Sequence, residues 1–331
     1  MINKADIDKI FETVRVEEVV EDYVTLKKRG VNMIGLCPFH DEKTPSFYVS
    51  PAKGIYKCFG CGKGGNAVNF VMEKESMSYP EALRTLAKKY NIEIEEKEQT
   101  PEQIEANNER ERLFVTLSYA QKKFTDNLHN TDEGKSVGLT YFRERGFRDD
   151  IIEKFQLGYS INKRKAFTEE ALDNTHKIDA LVNAGLTIET NNGQDTYHFD
   201  RFFGRVMFPI HSATGRVIAF GGRTLQTDKK VAKYVNSPET QVYHKSDVLY
   251  GIYFAKKDII NKDNCFLVEG YTDVIALHQV GVENVVASSG TSLTQGQIKL
   301  IRRFTKNITI LYDGDNAGIK ASFRGIDLIL E

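Results

Sequence analysis

The chain has 331 residues, of which 40% are hydrophobic and 27% charged, and its formal net charge is −1. This is the profile of a soluble globular protein built from two or three units. No apolar run approaches the about 20 residues of a membrane span and the N-terminus MINKADIDKIFETV is polar, so neither a membrane partner nor a signal peptide is expected.

Residues 4–24 carry a helical pattern, with Ile7, Ile10, Phe11 and Val14 on one face. A cluster follows: Cys37-x2-His40-x17-Cys58-x2-Cys61. Two tight pairs joined by a loop-sized spacer suit a tetrahedral metal, so these four residues are assigned to one structural zinc ion. Gly60, Gly62, Gly64 and Gly65 permit close backbone approach to sulfur. The remaining cysteine, Cys265, opens an apolar run and reads as core. Such sparse cysteine usage fits a reducing compartment, hence the cytoplasm. Short strands are expected at Ser46–Val49 and Gly54–Lys57, and a helix at Asn66–Met72. Ser78-x-x-Glu81 with Pro80 is a capping box opening a helix that runs to Tyr90. The first domain therefore covers residues 1–92.

Residues 93–112 hold eight glutamates and almost no large apolar side chains, the composition of a linker, with a helical extension of the following helix into part of it as the alternative. The apolar stripe Leu113, Phe114, Leu117, Ala120, Phe124 and Leu128 predicts a helix. Residues 113–258 form a mixed α+β domain, with short helices at Val137–Arg145, Asp149–Phe155 and Ile178–Ala184. RVMFPI–HSATG–RVIAFGG reads as a hairpin turning at Gly215. Between Arg201 and Lys257, ten Lys and Arg face three acids, Asp228, Glu239 and Asp247. A local basic excess of this kind points to a phosphate-rich partner.

From Asn264 the pattern is strand CFLVE, helix Asp273–Val280, strand NVVASS, helix Gln295–Phe304, strand ITILYD and helix Ala317–Leu330. This β-α-β-α-β-α order predicts a parallel sheet over residues 259–331. Glu269 closes the first strand, and Asp313 and Asp315 close the third. Ligands bind outside the carboxyl ends of such strands. Clustered carboxylates suit a hard cation, Mg²⁺ or Mn²⁺.

EGYTDVIALHQVGVENVVASSGTSLT followed by LYDGDNAG resembles the Toprim domain shared by bacterial primases, topoisomerases and some nucleases. CPFHDEKTPSF…YKCFGCGKGGNAVNFV resembles the N-terminal zinc ribbon of bacterial replicative primases. YFRERGF, RVMFPI…GRVIAFGGR and KYVNSPET…HKSDVLYG resemble the segment that precedes Toprim in the same enzymes. The whole chain, in order, is thus similar to DNA primases of the DnaG type. The expected architecture is an antiparallel zinc ribbon with helices, a mixed α+β basic subdomain and a parallel Toprim subdomain. The family pattern continues past the DGD strand to a further acidic motif, a helical subdomain and a helicase-binding domain, so the resemblance implies a chain cut inside the catalytic core.

The implied activity is synthesis of short RNA primers from ribonucleoside triphosphates on single-stranded DNA, with an RNA primer/DNA hybrid as product and pyrophosphate released. By resemblance, Asp313 and Asp315 hold the catalytic metal, and Glu269 is either a metal ligand or a general base. Arg145, Arg223, Lys233 and Lys245 are the phosphate-facing cations, and Asn236 is a polar contact. On the zinc ribbon, Lys57 and Lys63 beside Phe47, Tyr56 and Phe59 offer cations among rings, as single-strand-binding surfaces do. A replicative helicase is expected to bind only the longer protein, and a monomer is expected. Two other classes fit parts of the pattern: a Toprim DNA-cleaving enzyme, and an inactive zinc-dependent single-strand-binding fragment.

Overall fold

A computed structural model describes residues 2–75, 77–94, 100–226, 230–290 and 292–330. The chain divides into two compact units, Met1–Ile104 and Glu105–Glu331. Asp228 and Lys229 of the basic segment lie outside the described residues.

In the first unit, the expected single helix over 4–24 is two: α1 (Lys4–Thr13) and α2 (Val16–Glu21). Val14 is extended (φ −73°, ψ 127°), and the Asn3 side chain caps α1 by accepting from Asp6 N at 2.8 Å. The break lets both Ile10 and Val16, Val19 and Val20 reach the same core. The strands β1 (Lys27–Arg29), β2 (Asn32–Gly35), β3 (Phe47–Ser50), β4 (Ile55–Cys58) and β5 (Gly64–Gly65) form one antiparallel meander. α3 (Ala67–Lys74) opens on reciprocal Asn66–Asn69 caps. α4 (Tyr79–Lys89) opens on the predicted box, with Ser78 N donating to Glu81 Oε2 at 2.8 Å. Phe47, Tyr56 and Phe70 are fully buried and pack with Phe39 at ring separations of 5.2–6.1 Å. Such ring pairs contribute stabilisation beyond the area they bury.

The second unit begins within α5 (Pro101–Asn130). The segment read as a linker is therefore helical from residue 101, and residues 95–99 lie outside the described set. This is the helical extension left open by the sequence, and it is held from outside its own apolar stripe. Thr100 Oγ1 accepts from Gln103 N, the Glu111 carboxylate takes two hydrogen bonds from Arg216, and Glu109 accepts from Gln241. A bidentate Arg–carboxylate pair is among the stronger surface contacts. Next come a π-turn (Gly134–Leu139), α6 (Thr140–Glu144), α7 (Asp149–Lys154), β6 (Gly158–Ser160), α8 (Ala166–Asp173) and α9 (Ile178–Asn183). The ribbon β7 (Thr187–Asn191) and β8 (Thr196–Asp200) stands apart from an antiparallel sheet of order β11-β10-β9-β6. That sheet is built from β6, β9 (Arg205–His211), β10 (Val217–Thr224) and β11 (Tyr234–Asn236). The predicted hairpin is β9–β10, with Gly215 at φ +95°.

α10 (Ile252–Lys262) leads into β12 (Cys265–Val268), α11 (Tyr271–Gln279), β13 (Val285–Ala287), α12 (Gln295–Arg302), β14 (Ile308–Ile310) and α13 (Asn316–Leu330). The three strands are parallel in the order β13-β12-β14, so the first strand is central. One core joins the two sheets: Phe208 of β9 stacks on Tyr271 of α11 at 5.1 Å, and Val274 and Ile275 pack in the same cluster. This shared core fixes the ends of the parallel strands beside the basic subdomain. Among the described residues, no helix is long and apolar enough to cross a membrane.

Candidate zinc centre and acidic face

The ligand atoms of Cys37, His40, Cys58 and Cys61 all lie within 4.8 Å of one another. Cys37 Sγ and Cys61 Sγ are 3.8 Å apart, as are Cys58 Sγ and His40 Nδ1. A tetrahedral ion with bonds of about 2.3 Å to sulfur needs sulfurs about 3.8 Å apart, so the donor set fits zinc with no position left for water. Cys37 precedes the first turn, and Cys58 ends β4, where Ser46 O, just ahead of the neighbouring strand β3, accepts from Phe59 N. The amides of Phe39 and Cys61 each point at a sulfur, 3.4 Å from Cys37 and Cys58 respectively. Burial opposes the Cys58 thiolate, but Ser46 Oγ and the backbone amides of Cys61 and Gly60 outweigh it and lower the thiol to about 6. Cys37 is pushed up by its burial. A bound zinc ion takes both as thiolates.

Glu42, which the sequence reading passed over, organises this centre. Its Oε1 accepts from the amides of Cys37 (2.8 Å) and Ser46 (3.0 Å), and its Oε2 faces His40 Nε2 at 3.3 Å and the Ser46 hydroxyl. Holding the distal imidazole nitrogen leaves Nδ1 free for the metal. The signal was an acid two residues beyond a ligand histidine. Gly60 is a steric requirement: a Cβ there would lie 2.6 Å from His40 Nε2.

The aromatic–cation face of the ribbon is partly used up by folding. Phe47 and Tyr56 are core, whereas Phe59 is 72% exposed, edge-on to Tyr48. Lys57 Nζ donates to Gly62 O, and Lys63 pairs with Glu73 at 3.0 Å over the Phe39 ring.

In the second unit, Glu269 follows β12, and its Oε1 accepts from Asp313 N (3.2 Å) beyond β14. A Cβ on Gly318 would sit 3.0 Å from the same oxygen, so the start of α13 closes over Glu269. Asp315 Oδ1 accepts from Ala317 N (3.0 Å) and Gly318 N (2.8 Å), which makes it the cap of α13. Asp313 and Asp315 are exposed, and among the described residues only the Cys₃His group has its ligand atoms within metal-binding distance of one another. Asp273, expected only as the start of a helix, belongs to this face. Desolvation and the Asp313 charge raise its carboxyl above the ordinary range, against the Gly270 amide and Arg145. Its trace in the sequence is the acid four residues after Glu269. A carboxyl raised by a neighbouring acidic charge is what a cation would relieve.

Of the proposed cations, Arg145 lies over Tyr141 (5.3 Å), and Arg223 lies between Tyr141 (4.6 Å) and Tyr234 (6.0 Å). Arg223 Nε is buried without a hydrogen-bond partner. Arg223, Tyr141 and Lys233 border a cavity of about 870 Å³. The two tyrosines lie in the segments YFRERGF and KYVNSPET, beside the cations themselves. Lys245 sits in a 3-10 turn whose carbonyl is held by Gln297 of α12. Asn236 spends both polar ends internally: it accepts from Tyr271 Oη at 2.9 Å and donates to Ser289 O at 3.2 Å.

The chain thus carries a zinc ribbon ahead of a parallel sheet with acidic strand ends, and comparison with known proteins shows its family. Residues 2–102 match the CHC2 zinc finger, 123–256 the N-terminal domain of the DNA primase catalytic core, and 266–331 a Toprim-like domain. The chain is 43% identical to the DNA primase of Halalkalibacterium halodurans over 328 residues, 99% of this chain and 54% of that protein. It is 39% identical to the primase of Enterococcus faecalis, covering 98% and 52%. The zinc-binding and RNA polymerase domains of Aquifex aeolicus primase superpose with a TM-score of 0.61 at 38% identity, over 98% of this chain and 76% of that one. A DnaG primase catalytic domain bound to single-stranded DNA gives 0.61 at 36%, covering 68% of each. The chain belongs to the bacterial DnaG-type DNA primase family. It spans about half the length of the curated primases it matches.

Proposed function

We propose that this chain carries the template-binding and nucleotidyl-transfer elements of a DNA primase. The primer 3′-hydroxyl oxygen bonds to the α-phosphorus of a ribonucleoside triphosphate, the α–β phosphoanhydride bond breaks, and pyrophosphate leaves. The observation that carries this reading is the meeting of Glu269 and Asp313 at the ends of β12 and β14, next to Asp273 and within reach of the Arg145 charge. Glu269, Asp313 and Asp315 would hold Mg²⁺ or Mn²⁺, which when bound neutralises phosphate charge and favours the ionised hydroxyl. Arg223, Lys233 and Arg145 bind the backbone of the single-stranded template. The tyrosine rings of Tyr141 and Tyr234 hold Arg223, and Tyr141 holds Arg145, through their faces. Lys245 extends the basic surface, while Asn236 serves to tie β11 to the loop after β13. The zinc is one structural ion that shapes the ribbon, and exposed Phe59 with nearby lysines offers bases a ring to stack on. Lys63, paired with Glu73, would have to exchange partners to touch DNA. The domain limits 1–92, 113–258 and 259–331 describe the functional division.

The test is template-dependent incorporation of labelled ribonucleotides with Mg²⁺ or Mn²⁺ in the wild type and in the Asp313→Asn, Asp315→Asn double variant. Loss of about a hundredfold or more, with single-strand affinity unchanged, is expected, because preorganised charge stabilisation contributes on that scale. Equal rates would remove the acidic face from the reaction.

A further inference from the structure

A cavity of about 430 Å³ next to Glu269 contains a cation that none of the roles above uses. Its floor is the carboxyl ends of all three parallel strands: Glu269 after β12, Ser288 after β13 and Tyr312 after β14. Its wall is one face of α13, where Ala321, Arg324, Gly325 and Leu328 recur at i, i+3, i+4 and i+7. Gly325 is buried, and a Cβ there would meet Ile310 Cδ1 at 3.1 Å, so the helix is pressed onto β14 at this level. Arg324 leaves α13 one residue before that contact. It is exposed and, among the described residues, makes no hydrogen bond or ion pair.

An unpaired guanidinium and a carboxylate on one cavity call for a ligand with both signs of charge. A simple anion would meet Arg324 but be repelled by Glu269. A polyphosphate carrying a divalent cation satisfies both: oxygens on the planar guanidinium, the cation toward the carboxylate. The site also lies where open parallel sheets bind ligands, outside the carboxyl ends of the strands. We propose that Arg324 binds the phosphates of a metal-bound nucleoside triphosphate in this cavity and so positions it against Glu269. This rests on reading Glu269 as part of the cation-binding face. It adds to that face a phosphate contact from α13, distinct from the cations of residues 201–257.

Equilibrium binding of MgATP, and of adenosine as the phosphate-free probe, to the 331-residue protein tests it. Arg324→Ala should raise the MgATP Kd about tenfold or more and leave adenosine unaffected, as loss of a charge-assisted contact requires. Arg324→Lys should recover part of the affinity, since a point charge replaces the fork. Far-UV circular dichroism verifies that α13 persists. An unchanged MgATP Kd in Arg324→Ala, an equal loss for adenosine, or a wild type that does not bind MgATP in the millimolar range overturns the proposal. The Asp313→Asn, Asp315→Asn double variant separates the two readings. If it retains MgATP affinity that Arg324→Ala loses, the cavity stands and the acidic face is misassigned; the opposite pattern removes Arg324 alone.

Discussion

Glu42→Gln probes the zinc centre without touching a ligand. The carboxylate makes four contacts with two oxygens: Oε1 accepts from the amides of Cys37 and Ser46, and Oε2 takes the Ser46 hydroxyl and faces His40 Nε2. Glutamine has the same shape but one acceptor. With its oxygen at the Oε1 position, its NH₂ faces the Nε2–H of His40, donor against donor. Flipped, the NH₂ faces two backbone amides instead. Either way the amide that places Cys37 or the nitrogen that orients His40 loses its partner. Outer-shell changes of this kind lower metal affinity by about 10–100-fold. The carboxyl is held below the ordinary range, chiefly by Ser46, so the ionised form is the native one. Its contribution is therefore full above the ordinary carboxylate pKa and is lost as pH falls through the lowered value. Competition against a chromophoric chelator measures the affinity. The wild type should keep zinc to lower pH than the variant. If both release zinc at the same chelator concentration and the same pH, Glu42 does not organise the centre.

Cys58→Ser should release about one zinc per chain and unfold the region around residues 35–65, since small zinc domains take much of their folding energy from the metal; metal analysis showing full retention would reject the four-ligand assignment. His211 and His278 are both lowered to about 4, His211 by burial and His278 by burial first and then by Lys154. The unfolded chain takes up their protons below about 6.5, so stability is complete above that pH and falls as pH drops toward 4, by up to about 3 kcal/mol for each. Urea unfolding should show this loss already between pH 6.5 and 5, before most carboxylates titrate. A His211→Gln variant with the same slope as the wild type in that window would exclude His211 as a source.

The zinc ligands, the α4 capping box, the β9–β10 hairpin and the β-α-β order were all set by the sequence, because each depends on local spacing. A knuckle, a cap or a strand end needs its residues within a few positions, and chain order preserves that. Glu269 and Asp313 could be placed at strand ends for the same reason. Packing between distant segments decided the rest. Residues 101–112 are helical because Arg216 and Gln241, over a hundred positions away, hold Glu111 and Glu109. Phe47 and Tyr56 became core while Phe59 stayed exposed, a choice made by which face of the ribbon meets α3. Asn236 was absorbed into a tie between Tyr271 and Ser289. Arg324 lies eleven residues past Asp313 in a helix whose sequence gives no sign of which face is turned to the strand ends. Only the pressing of Gly325 onto β14 brings its guanidinium to the cavity beside Glu269.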